Sequence, residues 1–222
     1  MVSGACDSAR PRPRVRDADW PVSNKAACFG AWRTGSFEAL FGASHKGMRM
    51  KATIETINQM QADGVIGRYA IGGAVGATFY LEPSATLDID VFVSFQNVDG
   101  TALLDLSPLY RYLTARGCQA KGEHIVIADW PVQFLPPGNP LVAEAMEQAV
   151  KTDVEEVPTW VMTAEHLVAI ALQTGRAKDH TRILQFIESG TIDTDKLDLL
   201  LSRHGLLAKW AQFEERFLDG TA

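Results

Sequence analysis

Two aspartates one residue apart stand inside an apolar run at 86–95, TLDIDVFVSF, and a Gly-Gly pair separated from Asp88 by 14 residues closes another, YAIGG. Burying ionised carboxylates is expensive unless a cation or hydrogen bonds offset the cost. Side chains alternate along a strand, so Asp88 and Asp90 share one face while Leu87, Ile89, Val91 and Val93 share the other, the core face. Two such carboxylates can hold a divalent metal, and two metals about 3.5–4 Å apart can clamp an in-line phosphoryl displacement. Mg²⁺ suits the pair, because it takes oxygen ligands and binds one or two carboxylates plus substrate phosphates. The bland alternative is an edge strand whose aspartates simply face water.

Gly72 and Gly73 sit between a short strand and a helix, where backbone N–H groups are free to meet phosphate. Glycine permits close backbone approach, although a tight turn alone also calls for it. A dinucleotide-binding G-x-G-x-x-G is set aside because Ile71 occupies its first position. A P-loop is excluded by the missing Gly-Lys-Ser/Thr.

These residues need elements to hold them. Helical spacing of Ile54, Ile57 and Met60 before Gly64 predicts a helix over 50–63. A strand at 68–71, a helix at 74–81 and a strand at 86–95 follow, then a helix at 102–116. Residues 123–128 and 131–135 form a hairpin with Asp129-Trp130 at or near its turn. A helix at 140–150, a strand at 157–162 and a helix capped by Thr163 through Gln173 come next, then helices at 177–188, 193–203 and 205–218. This order predicts an α/β mixed sheet over 48–162 with a C-terminal helical lobe over 163–222. Residues 1–47 show no sustained period and read as a flexible extension.

The totals narrow the class. At 222 residues the chain forms one full-sized domain, or one with a helical appendage. The first 50 residues carry eight Lys+Arg against four Asp+Glu, a net +4, and the remainder 13 against 23, a net −10. An acidic body argues against broad nonspecific nucleic-acid binding, which depends on neutralising phosphates. Apolar runs such as Leu167–Leu172 are far shorter than the ~20 residues of a membrane span. Cys6, Cys28 and Cys118 match no metal or redox spacing, and no apolar signal-peptide segment opens the chain. They read as free thiols in a reducing cytoplasm. The five histidines show no metal spacing, and Trp130, Trp160 and Trp210 are expected to fill the core.

Glycines after a strand, 14 intervening residues, then Asp-h-Asp-h resemble the signature of the DNA polymerase β-like nucleotidyltransferase superfamily. Within it, IGGAVGATFYLEPSATLDIDVFV most resembles the AbiEii/AbiGii-toxin-like family, as do PVQFLPPGNPL at 131–141 and VPTWVMTAEHLVAIALQTGRAKDHTRI at 157–183. The resemblance covers about 48–217, and residues 1–47 have no counterpart in it. It implies a nucleotidyltransferase fold in which Asp88 and Asp90 bind Mg²⁺ and Gly72 and Gly73 meet the triphosphate of an NTP. Thr86, Gln133 and Arg176 would line the nucleotide, and Lys178 and Asp179 would face it from the helical lobe. Read by themselves, Arg176, Lys178 and Asp179 equally suit a solvated helix start.

The resemblance further implies transfer of an NMP to a hydroxyl of RNA (tRNA) or protein, in a toxin that pairs with a cognate antitoxin. In two places the chain departs from the pattern. Gln133 stands where many relatives carry a third carboxylate, and Ala171 where many carry Lys. Both departures fit an alternative, a degenerate module that binds nucleotide or a partner without turnover.

Overall fold

The computed structural model describes residues 45–82, 86, 88–94 and 105–218. Helix α1 (His45–Ala62) leads into β1 (Tyr69–Ile71), a one-turn α2 (Gly73–Ala77) and β2 (Ile89–Val93). Then come α3 (Ser107–Thr114), three consecutive strands, β3 (Gln119–Lys121), β4 (His124–Ile127) and β5 (Trp130–Leu135), and α4 (Pro140–Glu147). Strands β6 (Val150–Val154) and β7 (Val157–Val161) precede α5 (Ala164–Thr174), α6 (Ala177–Ser189), α7 (Thr194–Arg203) and α8 (Leu207–Phe217). Seven strands form one mixed sheet in the order β3-β4-β5-β2-β1-β7-β6. The α/β class and the helical lobe are therefore as the sequence pattern predicts.

The sheet is buried on one face by α1 and α3, where Met50, Ile54, Ile57, Met60, Leu109 and Leu113 pack on Ile89, Val91, Val93, Ile125 and Val132. The opposite face meets α2 and the helices from α4 onward through a second cluster that includes Ala70, Phe92 and Met162. The lobe thus shares its core with the sheet rather than closing on itself. Strand β2 alternates buried and half-buried residues, so Ile89, Val91 and Val93 face the first core and Asp90 and Phe92 the lobe.

Several expectations shift. The 140–150 helix stops at Glu147, and Val150–Val154 forms a strand pairing with β7 that the periodicity hides. Strand β3 was likewise invisible, because all three of its residues are exposed and carry no alternation. The hairpin turn is Ala128-Asp129, with φ of 47° and 68°, and Trp130 already pairs with Ile127. A two-residue turn of this kind needs positive φ at both central residues, for which Asn-Gly or Asp-Gly is the usual signal. Here Ala-Asp does it, and Glu155-Glu156 does it between β6 and β7 with φ of 48° and 70°. The predicted 74–81 helix ends at Ala77 and continues as turns.

Trp130 is buried, but Trp160 is 39% exposed, on the face of β7 opposite buried Val157, Thr159 and Val161. Residues 102–104, Leu87, Phe95, Cys6, Cys28 and residues 1–44 of the extension lie outside the described residues, whereas 45–47, expected to belong to the extension, open α1; Cys118 is free. Among the described residues no helix is long and apolar enough to cross a membrane.

Within the lobe, Glu144 of α4 accepts from His204 Nε2 at 2.7 Å and from Arg203, fastening α4 to the end of α7. His166 of α5 lies beneath, with Nδ1 2.8 Å from the Thr163 hydroxyl and Nε2 buried with no hydrogen-bond partner among the described residues, 4.0 Å from Glu144 Oε1. Burial holds the His166 pKa below its ordinary value, against the pull of Glu144 and Glu165. The unfolded chain therefore takes up this proton more readily, and His166 contributes fully only above the ordinary imidazole pKa of 6.5. Its contribution is lost as pH falls through the lowered folded value. The thermal midpoint is expected to fall between about pH 7 and about pH 5.5, with a shallower slope in His166→Gln. Equal slopes in the two chains would show that His166 does not set it.

Candidate functional site

The site is built where β1, β2 and β5 present their lobe-side face to α6. Gly72 is still part of the ladder, donating its N–H to Asp90 O at 3.0 Å, so the turn into α2 begins level with the second aspartate. Its open side is filled by neighbours: a Cβ on Gly72 would come within 2.6 Å of the Phe92 ring and 3.1 Å of Met162 Sδ. Gly73 is more constrained. It adopts φ +57°, and a Cβ there would collide with Asp90 Oδ2. The Asp90 carboxylate therefore lies directly against the glycine backbone. Helix α2 has only five residues, so any phosphate contact here comes from the turn's N–H groups rather than from a long helix dipole.

Asp88 and Asp90 share the face, as the alternation predicts. Asp88 precedes the strand, 42% exposed at its side chain, and Thr86 donates its hydroxyl to the Asp88 carbonyl at 3.1 Å. Thr86 accordingly shapes the approach to Asp88. Asp90 is half-buried, and its pKa is raised by burial and by the Asp88 charge, against the opposing pull of Lys178, Arg176 and Arg182. Gln133 is half-buried on β5 and pairs in register with Asp90.

The cations come from the start of α6. Arg176 and Lys178 are exposed, whereas Asp179 is 1% exposed and engaged on both oxygens. Asp179 Oδ2 accepts from Arg176 Nε at 2.8 Å and from the Arg176 backbone N–H at 3.3 Å; its Oδ1 lies 3.5 Å from Arg182 Nη1. The hydrogen bond to Asp179 holds the Arg176 pKa up. Asp179 thus anchors two arginines and is not presented to a ligand. Ala171 sits buried in α5, facing the lobe core.

Two residues escaped the sequence argument. Arg182 follows Arg176 and Asp179 at steps of three, a helical spacing that places all three on one stripe. His124 Nε2 lies 3.3 Å from Asp88 Oδ2. Its signal was the alternation His124-Ile125-Val126-Ile127, which puts it on the face opposite the buried isoleucines. His166 and His180 are structural, the second packed against Phe213 and Phe217 with ring centroids 5.8 and 5.0 Å away.

The donor chemistry fits Mg²⁺. Asp88 and Asp90 offer hard oxygens, their mutual repulsion calls for a cation, and Gly73 leaves room at Asp90 that a side chain would fill. Among the described residues no group of three His, Cys, Asp or Glu forms a closed metal cage. A pair of carboxylates completed by substrate phosphates is the arrangement Mg²⁺ commonly takes. Comparison of the chain with known protein families and with curated proteins finds no match.

Two substitutions probe this geometry. Gly73→Ala must adopt a left-handed backbone and displace Asp90, and is expected to lower stability by at least ~1–2 kcal/mol in chemical denaturation. Asp90→Asn should act in the opposite direction. A carboxyl whose folded pKa is raised contributes most below its unfolded pKa and opposes folding once ionised, so the neutral amide relieves that strain at pH 7. Its thermal midpoint should rise, by roughly 2–4 °C for each ~1 kcal/mol recovered. A fall instead would mean that the Asp90 charge is already compensated in the metal-free chain.

Proposed function

We propose that this chain is a nucleotidyltransferase of the DNA polymerase β-like superfamily, akin to the AbiEii/AbiGii-toxin-like family. It would move an NMP from an NTP to a hydroxyl of RNA (tRNA) or protein in the cytoplasm. The observation that carries the reading is Asp90 on the lobe-side face of β2 with Asp88 just ahead of the strand and its charge acting on Asp90, Gly73 against Asp90, and an α6 cation cluster acting on it. Asp88 and Asp90 would hold Mg²⁺, which neutralises phosphate charge and orients the triphosphate. The turn at Gly72-Gly73 admits phosphate oxygens close to the backbone. Arg176, Lys178 and Arg182 stabilise charge that builds on the phosphoryl group, with Asp179 fixing the two arginines. As the acceptor oxygen bonds to the α-phosphorus, the bond to pyrophosphate breaks and the hydroxyl proton passes to water. The amide of Gln133 has no basic site for that proton and can only hydrogen-bond.

A role as the toxin of a pair with a cognate antitoxin is part of the same reading, supported by the motif likeness at 71–93 and 157–183. A second reading is favoured by Gln133, whose register beside Asp90 is where a third acid would be useful, and by the buried Ala171. It is a module that binds nucleotide or a partner without turnover.

Purified chain incubated with each labelled NTP, Mg²⁺ and total tRNA or lysate separates the two. Label transfer that disappears in Asp88→Ala/Asp90→Ala, by a factor of at least ~10³, is expected of the enzyme. Tight NTP binding with no acceptor labelled would establish the binding module, and neither binding nor transfer would sink both.

A further inference from the structure

Asp88 is the less secure of the two carboxylates. It stands before the first residue of β2, outside the ladder, with only the Thr86 hydroxyl on its carbonyl. The parallel register Ile89↔Val132 puts the adjoining position, Pro131, beside it on β5. Proline offers neither an N–H nor a polar side chain, so the neighbouring strand cannot steady the carboxylate. One strand further out, the register Ile125↔Val132 puts His124 beside Gln133, which itself pairs with Asp90. Asp90, Gln133 and His124 thus form a row across β2, β5 and β4. From the end of that row the imidazole reaches over Pro131, and its Nε2 lies 3.3 Å from Asp88 Oδ2. An ionised carboxylate only accepts, so Nε2 carries the proton and donates.

We infer that His124 is a positioning residue that holds Asp88, from β4, in the orientation required of a metal ligand. The inference rests on the reading of Asp88 and Asp90 as a metal site. Support of this kind acts by fixing the ligand's direction, and its loss typically lowers metal affinity about 10–100-fold. His124 is itself half-buried at the solvent-facing end of the sheet, 24% exposed, so its replacement disturbs no core packing.

The test measures Mg²⁺ and Mn²⁺ binding by calorimetry, without nucleotide or turnover, on the full chain and on His124→Phe, His124→Gln and Asp88→Ala/Asp90→Ala. Expected are a loss of about 10–100-fold in affinity for His124→Phe with an unchanged thermal midpoint, and substantial recovery in His124→Gln, whose amide N–H can replace the donor. Pulsed electron paramagnetic resonance on the Mn²⁺-loaded, ¹⁵N-histidine chain should show no directly bound imidazole nitrogen. Wild-type affinity in His124→Phe would overturn the inference while leaving the metal site standing. A coupled imidazole nitrogen would overturn it in favour of direct ligation. Equal binding by the wild type and the double aspartate variant would overturn the metal reading and the inference with it.

Discussion

Like-charge repulsion between Asp88 and Asp90, on a strand face that the lobe partly shields from water, constrains everything around it. Burial and the neighbouring charge both raise the Asp90 pKa, so this carboxyl is held against its own ionisation. A protein can relieve such a pair by neutralising one member or by surrounding it with positive charge. Here Arg176, Lys178 and Arg182 all oppose the shift at Asp90, and they come from the N-terminal half of α6 and its cap. Gly73 serves the same end sterically, since any side chain there would occupy the space beside the Asp90 carboxylate. Sheet, turn and helix are thus arranged around one electrostatic problem.

The cations stay in place because of a third carboxylate with a different task. Asp179 is almost wholly buried, and its oxygens reach Arg176 and Arg182. An unpaired buried carboxylate would be strongly destabilising, so its burial is tolerable only while both arginines stay close. The position of α6 in turn depends on the lobe core, where Ile183 and Phe186 pack among Leu167, Val168 and Leu172 of α5. Hydrophobic packing of α5 and α6 therefore sets the distance between the arginines and the aspartates. The second core carries this chemistry as much as the sheet does.

Much of this arrangement was legible in the chain itself. Alternation in DIDVFV placed both aspartates on one face, and the buried and half-buried pattern of β2 agrees with it from Ile89 to Val93. Thr163 and Gly175 punctuate α5 as a cap and a left-handed stop should, with φ +71° at the glycine. What stayed hidden depended on turns without glycine and on partners distant in sequence. Ala128-Asp129 and Glu155-Glu156 take left-handed backbones that neither composition advertises, which displaced one hairpin turn and concealed β6. Asp179 looked like a ligand-facing acid from its motif. Its burial follows from Arg182 and from the lobe core, which local pattern cannot reveal.

Gln133 and His124 show why register matters more than proximity in the chain. A reading confined to β2 and its neighbour finds an amide beside Asp90 and a proline beside Asp88, and concludes that the site has lost support. The hairpin adds a third strand whose antiparallel pairing returns the chain to the level of Asp90, and from there the His124 imidazole reaches Asp88. That hairpin turns on two residues in the left-handed region, and Arg49 of α1 meets the exposed Asp129 of its tip at 3.4 Å, at the far end of β4 from His124. Thr53 of the same helix donates to Ile127 O at 2.9 Å. Two contacts from α1, on the opposite side of the sheet, thus hold the Ile127–Asp129 end of the hairpin whose other end carries His124.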